Sequence, residues 1–144
     1  ADTQPQELQT LREIALIWMD RLQAFRPHLG GAVWHGTATR HSDIYVQLYC
    51  DDQKSAEWAL LDQRVEYHPG TAASDAQGDP VEALTLRLRC EALGQWVLLH
   101  LLVLDHDALR GALRPDAQGR RPRGDAQEVR ALLAADPGSH REAA

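Results

Sequence analysis

The spacing of apolar residues divides the first half of the chain into a helix and two strands. Residues 6–25 predict an amphipathic helix, because apolar side chains recur at steps of three and four: Leu8, Leu11, Ala15, Trp18, Leu22 and Phe25. Pro27 and the Gly30-Gly31 pair end this helix, and the apolar residues 32–34 predict a short strand. From Asp43 to Cys50 apolar and polar residues alternate, which is typical of a strand.

The second half predicts a hairpin and several short helices. Asp51-Asp52 precede a helix expected over 53–63, in which four residues are expected to pack inward: Ala56, Trp58, Leu60 and Leu61. Residues 65–67 predict a short strand and residues 69–80 a loop. The alternating strand Val81–Cys90 and the run Trp96–Leu104 are joined by a turn at Gly94. The run is apolar on both sides, so it is expected to be a central strand covered by helices. Helices are expected over 107–113 and 126–135, with a linker between them.

This order of elements predicts an α+β domain with a mixed or antiparallel sheet, because strands outnumber what a regular βα alternation would give. We expect residues 1–113 to form the core. Residues 114–144 are expected to form a basic linker and a short C-terminal helix, partly mobile and packed on or beside the same domain.

Charge and composition restrict the partners. The 144-residue chain has a net charge of -6, which disfavours nucleic acid, although six arginines within residues 110–130 leave a nucleic-acid or phosphate-bearing ligand open. No apolar run is long enough for a bilayer, so we expect no membrane partner. The two cysteines, Cys50 and Cys90, form no CxxC pair and predict buried reduced thiols in the cytoplasm.

Residues 30–49 contain the candidate chemistry. A glycine-rich segment is followed by a polar loop and by Ser42-Asp43 at the head of a strand. Glycines allow backbone N–H groups to approach phosphates, and acids at positions i and i+2 of a strand share one face, where they can hold metal ions. The segment therefore indicates a nucleotide site at a sheet edge, with Asp43 as its first acid.

The spacing within this segment is specific. Gly31-Ala32 is followed by ten residues, VWHGTATRHS, and then by Asp43-Ile44-Tyr45. This pattern resembles the nucleotidyltransferase superfamily, which includes DNA polymerase beta and the small antitoxin-type nucleotidyltransferases and has Gly-Ser, about ten residues, and Asp-hydrophobic-Asp. Three further features agree with the superfamily pattern: Gly36, Ala38-Thr39, and Ser42 before the first acid.

The resemblance implies a nucleotidyltransferase-like mixed sheet with helices packed on one face, and Mg²⁺ as a cofactor. It implies Asp43 as the catalytic and metal-binding residue, beside a set of nucleotide-binding residues: Gly31, Gly36, Thr37, Thr39, Ser42 and Tyr45. The metal motif is degenerate, however. Ala32 replaces the serine and Tyr45 the second carboxylate, while the superfamily's third carboxylate belongs on a later strand, where the run 96–104 has only His100 as a polar residue.

Three functions remain open from the sequence. The first is a catalytically degenerate nucleotidyltransferase-like protein that binds a nucleotide or a protein partner. The second is an active metal-dependent enzyme that combines Asp43 with a non-standard acid, namely Glu82, Asp51 or Asp105. The third is a non-enzymatic interaction module, for which an exposed Trp18 on the first helix would favour a homodimer.

Overall fold

The computed structural model describes residues 4–73, 80–109 and 121–135. These residues form four helices, α1 (Pro5–Arg21), α2 (Gly31–His35), α3 (Gln53–Asp62) and α4 (Ala126–Ala134). They also form six strands, β1 (His28–Gly30), β2 (Ile44–Tyr49), β3 (His68–Ala73), β4 (Pro80–Cys90), β5 (Gln95–Leu104) and β6 (Gly124–Asp125). No helix among the described residues has the length and apolar character needed to cross a bilayer.

The strands form one mixed sheet in the order β3-β4-β5-β2-β1-β6. All neighbouring strands are antiparallel except β2 and β5, which run parallel at the centre. Parallel neighbours need a long crossover, which α3 and the β3–β4 hairpin supply here. The predicted α+β class is confirmed, and β5 lies in the interior of the sheet as expected.

One hydrophobic cluster joins the helices to a single face of the sheet. Ile44, Val46 and Leu48 of β2 are buried in it, as the alternation predicts, whereas Leu88 of β4 is only partly buried against it. Cys50 and Cys90 are free and buried, as expected, and burial raises the pKa of the Cys50 thiol to about 11. In α3 the expected packing is only half correct, because Ala56 and Leu60 are buried whereas Trp58 and Leu61 are exposed.

The segment after the first helix differs from the prediction. Helix α1 ends at Arg21, and a 3-10 turn covers Gln23–Phe25. Residues 32–34, expected to be a strand, lie in helix α2, and the strand is His28–Gly30. The reason is local: Gly31 at φ 67° turns the chain out of β1, and Gly36 at φ 89° ends the helix one turn later.

Two further expectations are wrong. Residues 65–67 are not a strand; β3 begins at His68 and continues into the expected loop, because it pairs with β4 from His68↔Thr85 to Ala73↔Pro80. Its Pro69 is tolerated because β3 is an edge strand. The condition that would favour a homodimer is not met, because Trp18 is buried, with 9% exposure. The homodimer itself stays a prediction. Residues 74–79 of the expected loop lie outside the described residues.

The C-terminal segment joins the same sheet. Strand β6 pairs with β1, and Asp125 caps α4 through a reciprocal capping box with Glu128. The predicted helix over 107–113 lies mostly outside the described residues, as does the linker up to residue 120. The division of the chain at residue 113 stays a prediction.

Gly124 provides a test of how β6 docks. A Cβ added there would overlap the indole ring of Trp34, whose Nε1 donates to the carbonyl of Arg121 at 2.9 Å and is therefore held in place. We expect Gly124→Ala to lower the free energy of unfolding by about 1–3 kcal/mol, the usual cost of overpacking. Urea denaturation measures this loss.

The matched control is Gly70→Ala, since a Cβ at Gly70 meets no atom within 4 Å. It is expected to change stability by less than about 0.5 kcal/mol. Equal effects of the two substitutions would show that β6 is not packed against Trp34.

Candidate functional site

The candidate site lies at the centre of the sheet, on the face opposite the helices. Strands β2 and β5 run side by side in parallel, and their register pairs Tyr45 with His100. Asp43 immediately precedes β2 and shares a face with Tyr45, because side chains alternate along a strand. The backbone therefore brings together Asp43, Tyr45 and His100. Asp43 and Tyr45 stand at the two acid positions of the superfamily pattern, and His100 is the only polar residue of the run 96–104.

Asp43, His100 and Thr85 form a chain of hydrogen bonds across three strands. His100 Nε2 lies 2.9 Å from Asp43 Oδ2, and His100 Nδ1 lies 2.8 Å from Thr85 Oγ1. A carboxylate only accepts, so Nε2 carries a proton that it donates to Asp43, and Nδ1 exchanges a hydrogen bond with the Thr85 hydroxyl, which can donate or accept. The two contacts hold the imidazole in one orientation.

Tyr45 completes the group by stacking on His100. The two ring centroids are 4.9 Å apart at an interplanar angle of 26°. Burial and the negative charge of Asp43 both raise the pKa of the Tyr45 phenol. At neutral pH this phenol is protonated, and Mg²⁺ prefers anionic or carbonyl oxygen ligands. Tyr45 thus presents an aromatic surface, not a metal ligand, where a carboxylate was expected.

The glycine turn lies next to this stack. Gly30 pairs with Tyr45, and a Cβ at Gly31 would approach the Tyr45 ring to 3.5 Å. Gly36 and Thr37 lie at the far end of α2, where their N–H groups donate to the carbonyl of Ala32. Of these predicted nucleotide-binding residues, the structure therefore brings Gly31 to the site and leaves Gly36 and Thr37 one helical turn away.

Thr39 and Ser42 shape the polar loop before Asp43. The Ser42 hydroxyl accepts from the Thr39 N–H at 3.0 Å, and the Thr39 hydroxyl accepts from the His41 N–H at 3.3 Å. Arg40 ties the loop to the β4–β5 turn by donating to Gln95 and to the carbonyl of Leu93. Both hydroxyls thus stabilise the loop that leads into Asp43, and Ser42 also lines a cavity beside Asp43.

None of the non-standard acids can join Asp43. The register puts Glu82 level with Leu48, five residues along the sheet from Asp43 or about 16 Å. Asp51 and Asp105 follow the far ends of β2 and β5, more than about 20 Å away by the same measure. Within the described part of the chain, no three His, Cys, Asp or Glu side chains are grouped so as to hold a metal ion. One acid whose neighbours are an imidazole N–H and a phenol does not fit a Mg²⁺ site.

A cavity of about 260 Å³ opens between the polar loop and the start of β5. Residues 40–43, including Ser42 and Asp43, and residues 95–98, including Trp96 and Leu98, line it. Trp96 is 54% exposed, and the Arg87 guanidinium lies 4.8 Å from the centroid of its ring. The site thus continues from Tyr45 and His100 towards an exposed aromatic residue.

Tyr49 and the basic stretch 110–130 do not take part in this site. Tyr49 is buried and donates to Gln47, so it presents no surface to a ligand. In the basic stretch 110–130 the described arginines have internal contacts: Arg121 pairs with Glu128, Arg130 pairs with Asp20, and Arg123 is buried. These contacts give no support to a nucleic-acid partner for that stretch.

Sequence reasoning missed the contribution of Thr85. The signal was available, because a hairpin that closes between Cys90 and Gln95 places Thr85 and His100 opposite each other, each five residues from the turn. Sequence reasoning also considered Trp96 only as part of a covered strand, whereas it is exposed beside the cavity.

The chain matches no protein-family model, and no curated protein matches it. Membership of the nucleotidyltransferase superfamily therefore stays a prediction.

The role of Thr85 can be tested by removing its hydroxyl alone. Thr85→Val keeps the shape but leaves Nδ1 of the part-buried His100 without its partner, so we expect a loss of about 1 kcal/mol in the free energy of unfolding. Thr85→Ser keeps the hydroxyl and is expected to retain most of that energy. A valine variant at least as stable as the serine variant would contradict the hydrogen-bond chain.

Proposed function

We propose that this protein is a nucleotidyltransferase-like domain that has lost two-metal chemistry and binds a nucleotide without a metal ion. The observation that carries the proposal is the 2.9 Å hydrogen bond between Asp43 and His100, with Tyr45 stacked on the same imidazole. Asp43 and Tyr45 stand where the resemblance expects the first two carboxylates, and His100 is the polar residue of the run 96–104, where the third is expected.

Charge supports a non-catalytic role. Three carboxylates gathered at one point repel one another and are stabilised by divalent cations. Here a single carboxylate is balanced by an imidazole N–H, and its partner ring is covered by a neutral phenol. The group is stable without a cation, and it lacks the ligands for the two ions that nucleotidyl transfer uses.

The surroundings support a nucleotide as the ligand. Gly31 lies on the β1 side of Tyr45, against its ring, and the cavity lined by Asp43 and Trp96 lies on the β5 side. Glycine-rich backbone accommodates phosphate, and aromatic rings accommodate bases. One ligand that carries both groups can span the two sides.

A second candidate is the non-enzymatic interaction module. It is favoured by exposed apolar side chains on two helices, Ile17 of α1 and Trp58 and Leu61 of α3. Exposed apolar residues on helices are typical of protein contacts. A wild-type protein that binds no nucleotide would leave this candidate in place of the first.

The proposal predicts how binding depends on metal. By isothermal titration calorimetry, ATP is expected to bind the wild-type protein in EDTA, and Mg²⁺ is expected not to tighten the binding. An exchange assay with labelled nucleoside triphosphate is expected to show no turnover. A wild-type protein that needs Mg²⁺ to bind ATP, or turnover that is lost in Asp43→Asn, would overturn the proposal.

A gain-of-function variant sharpens this test. Tyr45→Asp combined with His100→Asp restores three carboxylates and is expected to bind Mn²⁺, which the wild-type protein is expected not to bind. The control is Tyr45→Asn combined with His100→Asn, which has the same side-chain size without the charges. Electron paramagnetic resonance of free Mn²⁺ measures the difference.

A further inference from the structure

The cavity beside Asp43 is lined by residues 40–43 of the polar loop and residues 95–98 at the start of β5. The loop contributes Ser42 and Asp43, which are part-exposed and carry a hydroxyl and a carboxylate, as well as Arg40 and His41. The strand contributes Trp96 and Leu98, an aromatic and an aliphatic side chain, as well as Gln95 and Val97. An aromatic ring and hydrogen-bonding groups in one small cavity suit a planar heteroaromatic ring, which can stack on the first and hydrogen-bond to the second.

The indole of Trp96 is supported from the neighbouring strand. Arg87 lies 4.8 Å and Arg89 6.0 Å from its ring centroid, both within cation–π distance. Arg89 also pairs with Glu91 at 3.3 Å, whereas Arg87 has no ion pair among the described residues. These contacts orient the ring and keep positive charge beside it in a chain whose net charge is -6.

We propose that this cavity binds the base of the nucleotide, with the base stacked on Trp96. This inference rests on the proposed function and deepens it by assigning the base to one part of the site. The volume of about 260 Å³ is below the roughly 300–1,000 Å³ of sites that enclose a whole small molecule, so it suits one base. The sugar and phosphates then extend past Asp43 towards Gly31.

The stacked base also assigns a role to Asp43. Its side chain is 36% exposed and lines the cavity, and only its Oδ2 is bonded to His100. The carboxylate therefore has capacity to accept a hydrogen bond from an exocyclic amino group or a ring N–H. Bases that present such a donor at this edge are favoured over bases that present only acceptors.

The test compares three variants by calorimetric titration in EDTA, with ATP and inorganic tripolyphosphate as probes. Trp96→Ala is expected to weaken ATP binding about tenfold, the usual effect of removing one base-stacking ring, and to leave tripolyphosphate binding unchanged. Trp96→Phe keeps an aromatic face and is expected to restore most of the affinity. Trp58→Ala is the matched control, since Trp58 is comparably exposed, at 60%, but lies on helix α3.

The outcomes separate this inference from the function it rests on. If ATP binds the wild-type protein and the alanine variants at Trp96 and Trp58 bind it equally well, the base-binding assignment is wrong while nucleotide binding stands. If Trp96→Ala weakens the binding of tripolyphosphate as much as the binding of ATP, Trp96 contacts the phosphates and the assignment is again wrong. If the wild-type protein binds no nucleotide, both proposals fail. If a hexameric oligoadenylate binds much more tightly than ATP, the ligand is a nucleic acid strand and not a single nucleotide.

Discussion

The parallel pairing of β2 with β5 determines the chemistry of this domain. Its register puts Tyr45 beside His100 and thereby brings Asp43 within hydrogen-bond distance of the same imidazole. A shift by one residue would turn His100 to the helix-covered face, where a polar ring would replace part of the apolar core. The burial of Ile44 and Leu99 on that face therefore secures the geometry of the polar group on the other.

The members of the polar group satisfy one another. Asp43 accepts from His100, His100 is also hydrogen-bonded to Thr85, and Tyr45 covers the ring. Because both ring nitrogens of the part-buried His100 have partners, the group can persist on the sheet without a cation. The same pairing leaves few free ligands for a metal, and it explains why we propose binding without two-metal catalysis.

Much of the fold could be predicted from the sequence, because strict alternation in 43–50 and 81–90 has one simple physical cause, a strand with one buried face. The segment 28–36 could not be predicted, because a three-residue strand and a five-residue helix are too short to show a periodic pattern. Their boundaries are set by Gly31 and Gly36, whose φ angles are positive. β3 was missed because Pro69 and Gly70 are poor strand formers that edge pairing tolerates. At the site, spacing predicted Asp43 and Tyr45 together, whereas the Thr85–His100 contact required the hairpin register.

The hydrogen bond from His100 Nε2 to Asp43 must persist when ligand and metal are offered together if the site binds a nucleotide without a cation. Nitrogen-15 NMR of the His100 ring in the presence of ATP and Mg²⁺ measures it directly. We predict that Nε2 stays protonated, with a chemical shift like that in EDTA. Loss of the Nε2 proton when Mg²⁺ is added would mean that a cation displaces this contact, and the account would be contradicted.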